Sequence, residues 1–396
     1  MLPSPELKDS FTSTGEKLFW HQEAMQKLRD GRGMPIVTHV MPTDLCNAKC
    51  AFCSVGERPG DVIPFAWIEG YLAQLVPLGL KAVIISGGGN PILYRDKESG
   101  KDFNDLVDHI HGLGLEIGLI TNGMPLREYT PLPIPNFLGR SRDNEGSVRT
   151  RRSWKTVRPE TLDKLTWCRI SMAGLDANHP EQEVFVPDFD QSKTSLGFSW
   201  IMSDSYEEPS HKHGWVSTPE DIRTPMQDRK VVKATDRLPW IEEQIRAYVE
   251  KHRPTYARFL CNCLQPEQIP ERHRILSEMA NRINPAICFS QYKPPRQPNK
   301  PCAKIFPHPV LNCDGYVFPC DSTVLQRTAG HKFGSAWRVC RWDEIGALYA
   351  NPIRQVIPNN ICPQCVFSDQ VDLIGEIIEG RETPELSAEP VHSSFV

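Results

Sequence analysis

Cys46, Cys50 and Cys53, in the stretch "LCNAKCAFC", put three thiols within eight residues as C-x3-C-x2-C, with no fourth ligand near in the chain. Three thiolates at one turn suit a [4Fe-4S] cluster that leaves one iron open to a ligand from outside the protein. They also suit a zinc ion completed by a distant His or Cys. A second set lies toward the C-terminus, with Cys302, Gly315 and Cys320 followed by Cys362 and Cys365 as C-x2-C. Four thiolates would close a second cluster, whereas C-x2-C is equally a zinc half-site. A chain of 396 residues can bury enough apolar surface to fold without cross-links, so thirteen cysteines point to metal ligation in a reducing compartment rather than to a secreted disulfide framework. No Ser-His-Asp or H-E-x-x-H pattern competes with them.

Such ligands need a rigid scaffold, and the chain supplies an alternation of strands and helices. "MPIVTHVMPTDLC" is β-rich and runs into the cysteine turn, and "IPFAWIEGYLAQLVPLGL" has helical periodicity ending near Gly79. "KAVIISGGG" is a strand running into glycines, "FNDLVDHIHGLGL" a helix, "EIGLITNG" a strand, "RPETLDKL" a helix and "TWCRISMAG" a strand. "SLGFSWIM", "LPWIEEQIRAYVEKH" and "TYARFLCN" then read as strand, helix and sixth strand. This pattern predicts an α/β fold with a parallel sheet, and six units imply a partial (β/α)6 barrel of the TIM type. In that architecture the C-terminal strand ends carry the chemistry. The cysteine turn, the "GGG" and the "TNG" all come directly after strands.

The expected organisation is a helical segment over 1–34, the barrel over 35–293, a Cys-bearing unit over 294–370 and a polar tail over 371–396, mobile after Glu379. In the first segment Glu16 to Asp30 is amphipathic, with Leu18, Phe19, Ala24, Met25 and Leu28 near one face. Polar inserts near 130–155 and 203–235, the latter with His211 and His213, read as loops over the active face. A net charge of -4 selects no partner class, and neither a signal peptide nor a membrane-length apolar run is present. A cytoplasmic protein is expected.

The cysteine turn, with aromatic Phe52 before the last cysteine, resembles the signature of the radical S-adenosylmethionine (SAM) superfamily, whose partial barrel the βα units match. Gly87, Gly88 and Gly89 of "SGGGNP" resemble the family's glycine motif, whose backbone holds the methionyl amine of SAM; Asn90 stands where an acidic residue is usual. The resemblance implies that Thr121, Asn122 and Ser171 face the ribose and carboxylate of SAM, although turn and cap roles explain such residues too. Cys302, Cys320, Cys362 and Cys365 resemble a twitch domain, a shortened SPASM-like unit, implying one auxiliary [4Fe-4S] cluster.

The resemblance also implies reduction by an external one-electron donor such as flavodoxin or ferredoxin, cleavage of SAM to a 5'-deoxyadenosyl radical, and hydrogen abstraction from substrate. A small molecule that is oxidised or rearranged is the first expectation, since the short N-terminal segment leaves no room for a leader-binding domain. A nucleotide, nucleic acid or peptide is the alternative, and a non-catalytic Fe-S scaffold the third. Nucleotides stay in view because Arg140, Arg142, Arg149, Arg151, Arg152, Lys155 and Arg158 face only Asp143 and Glu145 within Gly139 to Arg158, although a solvated loop explains these charges as well. Of the other cysteines, Cys168 reads as core, and Cys261 and Cys263 as packing at the catalytic face. Cys288, Cys313 and Cys340 lack matching partners, the last two lying near the auxiliary set in sequence. Arg258 meets either a substrate carboxylate or phosphate, or a salt-bridge partner at the rim.

Overall fold

The structure is a computed structural model and describes residues 10–13, 15–48, 50, 52–53, 60–123, 157–176, 184–206, 231–263, 265–321, 337–353, 362, 365–386 and 388–396. Its strands are β1 (Val37–Val40), β2 (Ala82–Ile85), β3 (Glu116–Asn122), β4 (Trp167–Ser171), β5 (Ser195–Met202), β6 (Ser205–Tyr206), β7 (Val231–Val232), β8 (Tyr256–Cys261), β9 (Cys288–Gln291), β10 (Val310–Leu311), β11 (Tyr316–Phe318) and β12 (Cys340–Arg341). β1 and β2 are buried along their whole length, as continuous apolar runs are when a parallel sheet is covered on both faces.

The main sheet has the order β12-β11-β10-β1-β2-β3-β4-β5-β8-β9. Every pairing from β10 through β9 is parallel, and β11 and β12 add antiparallel to the other edge. The predicted α/β fold with parallel strands is therefore present, and its sheet is open and mostly parallel. The sheet curls, since His39 of β1, Ile84 of β2, Ile120 of β3, Arg169 of β4 and Tyr256 of β8 line one cavity.

Crossover helices lie where the periodicity predicts. Phe65–Leu75 buries Phe65, Ile68, Tyr71, Leu72 and Leu75, and its 3-10 extension stops at Gly79, whose φ of 106° suits glycine. Phe103–Gly112 starts at a capping box in which Asp102 accepts from the Asn104 amide while Asp105 caps the Asp102 N–H. Ala234–His252 and Ile269–Ile283 come after β5 and β8.

Four features depart from the sequence reading. The N-terminal amphipathic run is a 3-10 helix, Gly15–Trp20, and an α-helix, Gln22–Arg29, separated at His21, whose ring meets the Ser393 carbonyl at 3.0 Å. β9 is an additional strand of four residues holding Cys288, too short to show a period. β10 pairs with β1 in the barrel sheet, so the Cys-bearing unit continues that sheet. Finally, 371–396 is no mobile polar tail. The helix Ser368–Ile378 buries Val371, Ile374 and Ile377, and Phe395 and Val396 are buried. The segment's polar groups are engaged, with Lys17 Nζ donating to the His392 carbonyl at 3.1 Å and Ser394 Oγ to Glu116 at 2.6 Å. No described helix is long and apolar enough to cross a membrane.

Candidate functional site

After β1 the chain is pinned before it reaches the cysteines. Thr43 bridges to Val62, its Oγ1 donates to the Asp61 carbonyl at 3.0 Å, and that oxygen accepts from the Leu45 amide at 3.1 Å. Cys46, Cys50 and Cys53 come next, all partly exposed, with the Cys53 amide donating to the Cys50 carbonyl at 3.0 Å. Partly exposed Phe52 adjoins Cys53. The glycine loop after β2 lies directly against this turn, for the Gly89 amide donates to Thr43 and the Asn90 amide to Leu45, at 3.1 and 2.7 Å. A Cβ on Gly89 would lie 2.0 Å from the Leu45 carbonyl oxygen. Close backbone approach is thus the reason for glycine at this position.

Side chains complete the connection. Thr121 donates to Asn90 Oδ1 at 2.7 Å; Asn90 Nδ2 donates to Asn47 Oδ1 at 3.1 Å and Asn122 Oδ1 at 3.3 Å. Asn122 Nδ2 donates to Asn47 Oδ1 at 2.9 Å and to the Cys46 sulfur at 3.4 Å. Asn90 and Thr121 are buried. Ser171 joins through strand register opposite Asn122, and its carbonyl accepts from Gly123 at 2.6 Å. Asn47, which receives two of these bonds, was missed by the sequence reading. Its one signal there was an amide lying between two of the candidate cysteines.

The C-terminal cysteines also converge. Cys302, Cys320, Cys362 and Cys365 line one cavity of ≈ 340 Å³ together with Lys304 and Phe367. Burial, then the neighbouring Cys302, pushes the Cys362 thiol up to about 11, and burial pushes Cys365 up to about 12. Neither Cys313 nor Cys340 lines that cavity. Cys313 instead lies with Asp44 and Asp61, their ligand atoms mutually within 4.8 Å, and Cys340 is in β12. Cys168 is fully buried, as a core residue would be. Cys261 is partly buried and Cys263 exposed.

From the basic insert, Arg140, Arg142, Arg149, Arg151, Arg152 and Lys155 lie outside the described residues, as do His211 and His213. Arg158 is described, and it is paired with Asp108 at 2.6 Å.

Residues 40–132 match the family model described as Radical SAM superfamily. Over that span the chain is similar to the radical SAM domain. The matched span holds the cysteine turn, the glycine loop, Thr121 and Asn122, which the hydrogen-bond network joins; the C-terminal cysteines lie beyond it. Similar solved structures include Streptococcus suis SuiB bound to precursor peptide SuiA, 12% identical over 88% of this chain and 72% of that one, with a TM-score of 0.45. Native anSMEcpe with bound AdoMet and Cp18Cys peptide is 12% identical over 82% of each chain, with a TM-score of 0.46. Methylornithine synthase (PylB) is 14% identical over 64% of this chain and 62% of its own, with a TM-score of 0.28. No curated protein sequence matches the chain.

Proposed function

We propose that the chain carries a catalytic radical SAM domain, with Cys46, Cys50 and Cys53 holding a [4Fe-4S] cluster whose open iron takes SAM, and that its substrate is a small molecule oxidised or rearranged after loss of a hydrogen atom. The supporting observation is the network that ties the Cys46 sulfur through Asn122 and Asn47 to Asn90 and Thr121. When bound and reduced by an external donor of the flavodoxin or ferredoxin type, cluster and SAM supply a 5'-deoxyadenosyl radical.

The chain's own groups bind and orient. An N–H···S bond from Asn122 favours the Cys46 thiolate over the thiol. The backbone of Gly87, Gly88 and Gly89, which at Gly87 and Gly89 packs against Thr43, Asp44 and Leu45, is in this reading offered to the methionyl amine, with Phe52 next to Cys53. Asn90 orders the amides around it, and Thr121, Asn122 and Ser171 offer hydroxyl and amide groups to ribose and carboxylate.

By the same reading, Cys302, Cys320, Cys362 and Cys365 hold one auxiliary [4Fe-4S] cluster, in keeping with the cavity that they share. Four thiolates leave that cluster no open iron, so its role is electron transfer or bracing.

Anaerobic reconstitution and then assay of 5'-deoxyadenosine is the test. SAM cleavage should appear on reduction and accelerate with the metabolite pool more than with peptide or nucleotide pools. Changing Cys46, Cys50 and Cys53 together to Ala should abolish it and remove about half of the iron. Zinc at either set, or undiminished cleavage in that variant, would overturn the reading.

A further inference from the structure

The curled sheet borders a cavity lined by His39, Ile84, Ile120, Arg169 and Tyr256 from its strands. Register fixes what faces it. Asn122, Ser171, Ser199 and Arg258 pair in one row across β3, β4, β5 and β8; Ile120, Arg169, Gly197 and Tyr256 form the row below. Paired residues of a parallel sheet share a face, so Arg258 stands level with Asn122 and Arg169 one layer deeper. Of the cations, Arg169, Lys304 and Lys17 line the cavity itself, Lys17 being engaged by the Ser10 and His392 carbonyls; Arg258 lies two residues beyond the lining Tyr256 on the same face of β8, and Lys293, just beyond β9, acts electrostatically on Arg258, Arg169 and Lys304.

Arg169, Arg258, Lys293 and Lys304 are poorly compensated. Arg258 is 9% exposed; its Nη1 donates to Gln291 at 3.0 Å and its Nε has no partner. Lys304 is 2% exposed, with its ammonium 4.8 Å from the Phe367 ring centroid, and Lys293 is 5.3 Å from the same ring. Arg169 lies over Trp167 at 5.6 Å. Among the described residues none of the four forms an ion pair, and Asp321 is the one carboxylate lining the cavity. Arg258 and Lys304 are buried and Arg169 and Lys293 half-buried, and buried charges are ordinarily paired, because an isolated one loses its hydration without recompense. The lower end of the cavity is closed by protein, with Phe11 stacked on Tyr256 at 4.5 Å and Phe395 against Trp167 at 5.2 Å. Compensating charge therefore arrives from the strands' C-terminal side, where the cysteine turn lies.

We propose that the substrate is a small anion carrying at least two negative charges, as carboxylates or a phosphate group, held in the barrel cavity by Arg169, Arg258, Lys293 and Lys304. This rests on the radical SAM reading for its chemistry but not for its binding. Three lining cations, Lys17, Arg169 and Lys304, with Arg258 and Lys293 beside them, against one lining carboxylate leave room for a dianion or trianion, and the faces of Trp167 and Phe367 keep Arg169, Lys293 and Lys304 in place without neutralising them.

The test uses the reconstituted full chain with SAM present, titrated with pyrophosphate and separately with citrate, and monitored by calorimetry. At least one anion should bind, and Arg169→Met and Arg258→Met should each weaken it at least tenfold. Pyrophosphate preference would assign a phosphate substrate and citrate preference a polycarboxylate. Melting curves of the variants check folding, and Lys304→Gln gives a third variant should either arginine change prevent it. Equal affinity in wild type and folded variants, or binding of neither anion by the wild type, would overturn the proposal. SAM cleavage is scored in the same preparations. Its absence alongside intact anion binding counts against the radical reading, and its presence without anion binding counts against this one.

Discussion

Gly89→Ala is the sharpest perturbation of the contact between glycine loop and cysteine turn. An added Cβ would sit 2.0 Å from the Leu45 carbonyl oxygen and 2.5 Å from the Asp44 carbonyl carbon, whereas real Cβ atoms essentially never come within 3.0 Å of such atoms. The loop or the turn must therefore move by at least about 1 Å, and both are backbone, so no side-chain rotation relieves it. The move lengthens the 2.7 Å bond from the Asn90 amide to Leu45 and shifts Cys46 relative to Asn122. Overpacking of this kind costs about 1–3 kcal/mol, and a 1 Å error near reacting groups costs on the order of 100-fold in rate. The assay is reductive formation of 5'-deoxyadenosine, with cluster content read by iron analysis and electron paramagnetic resonance, and the melting temperature measured in parallel. Gly112→Ala is the control, since that helical glycine has nothing within 4 Å of its added Cβ and alanine favours helix by roughly 0.5–1 kcal/mol. SAM affinity and cleavage in Gly89→Ala equal to those of the control would refute the reasoning.

Asn47→Ala removes the acceptor of two bonds, from Asn90 and Asn122, and leaves the buried Asn90 amide short of a partner. That costs about 1–3 kcal/mol, so calorimetry should find SAM binding weaker by roughly 5- to 150-fold, and an unchanged affinity would take Asn47 out of the site. Burial lowers His39 and His392 to about 4 from an unfolded value near 6.5. Between these values the unfolded chain binds more protons, so the melting temperature should fall as pH drops from about 6.5 toward 4; a flat profile there would contradict the burial. Lys293 is pushed down to about 7 by burial and then by Arg258, with Arg169 and Lys304 adding and Asp321 opposing. A bound anion favours its charged form, so affinity for citrate, already largely a trianion at pH 7, should hold near pH 7 and weaken above it. Lys293→Gln should abolish that pH dependence, and its persistence in the variant would exclude Lys293 as the source.

Some parts of the protein were fixed by neighbours in the chain. The cysteine turn, the glycine loop and the helix at Phe65–Leu75 depend on spacings of two to four residues, and such local patterns survive in a linear string. β3, β5 and β8 were legible for the same reason, each being an apolar run bounded by turn residues. Cys46, Asn90, Thr121 and Asn122 were each legible singly, from their places after strands. Their mutual bonds, and the part of Asn47 among them, depend on how β1, β2 and β3 align, which no local pattern encodes. The return of β10 to the edge of β1 and the seating of Phe395 and Val396 in the core likewise required the folded chain, since contacts between segments hundreds of residues apart are set by which surfaces remain to be covered. Arg158 and Arg258 show the same division. In sequence both were arginines with two available fates, and the tertiary structure brought Asp108 to one and, among the described residues, no carboxylate to the other. Charge is carried by the residue, but whether it is paired depends on what the fold sets beside it.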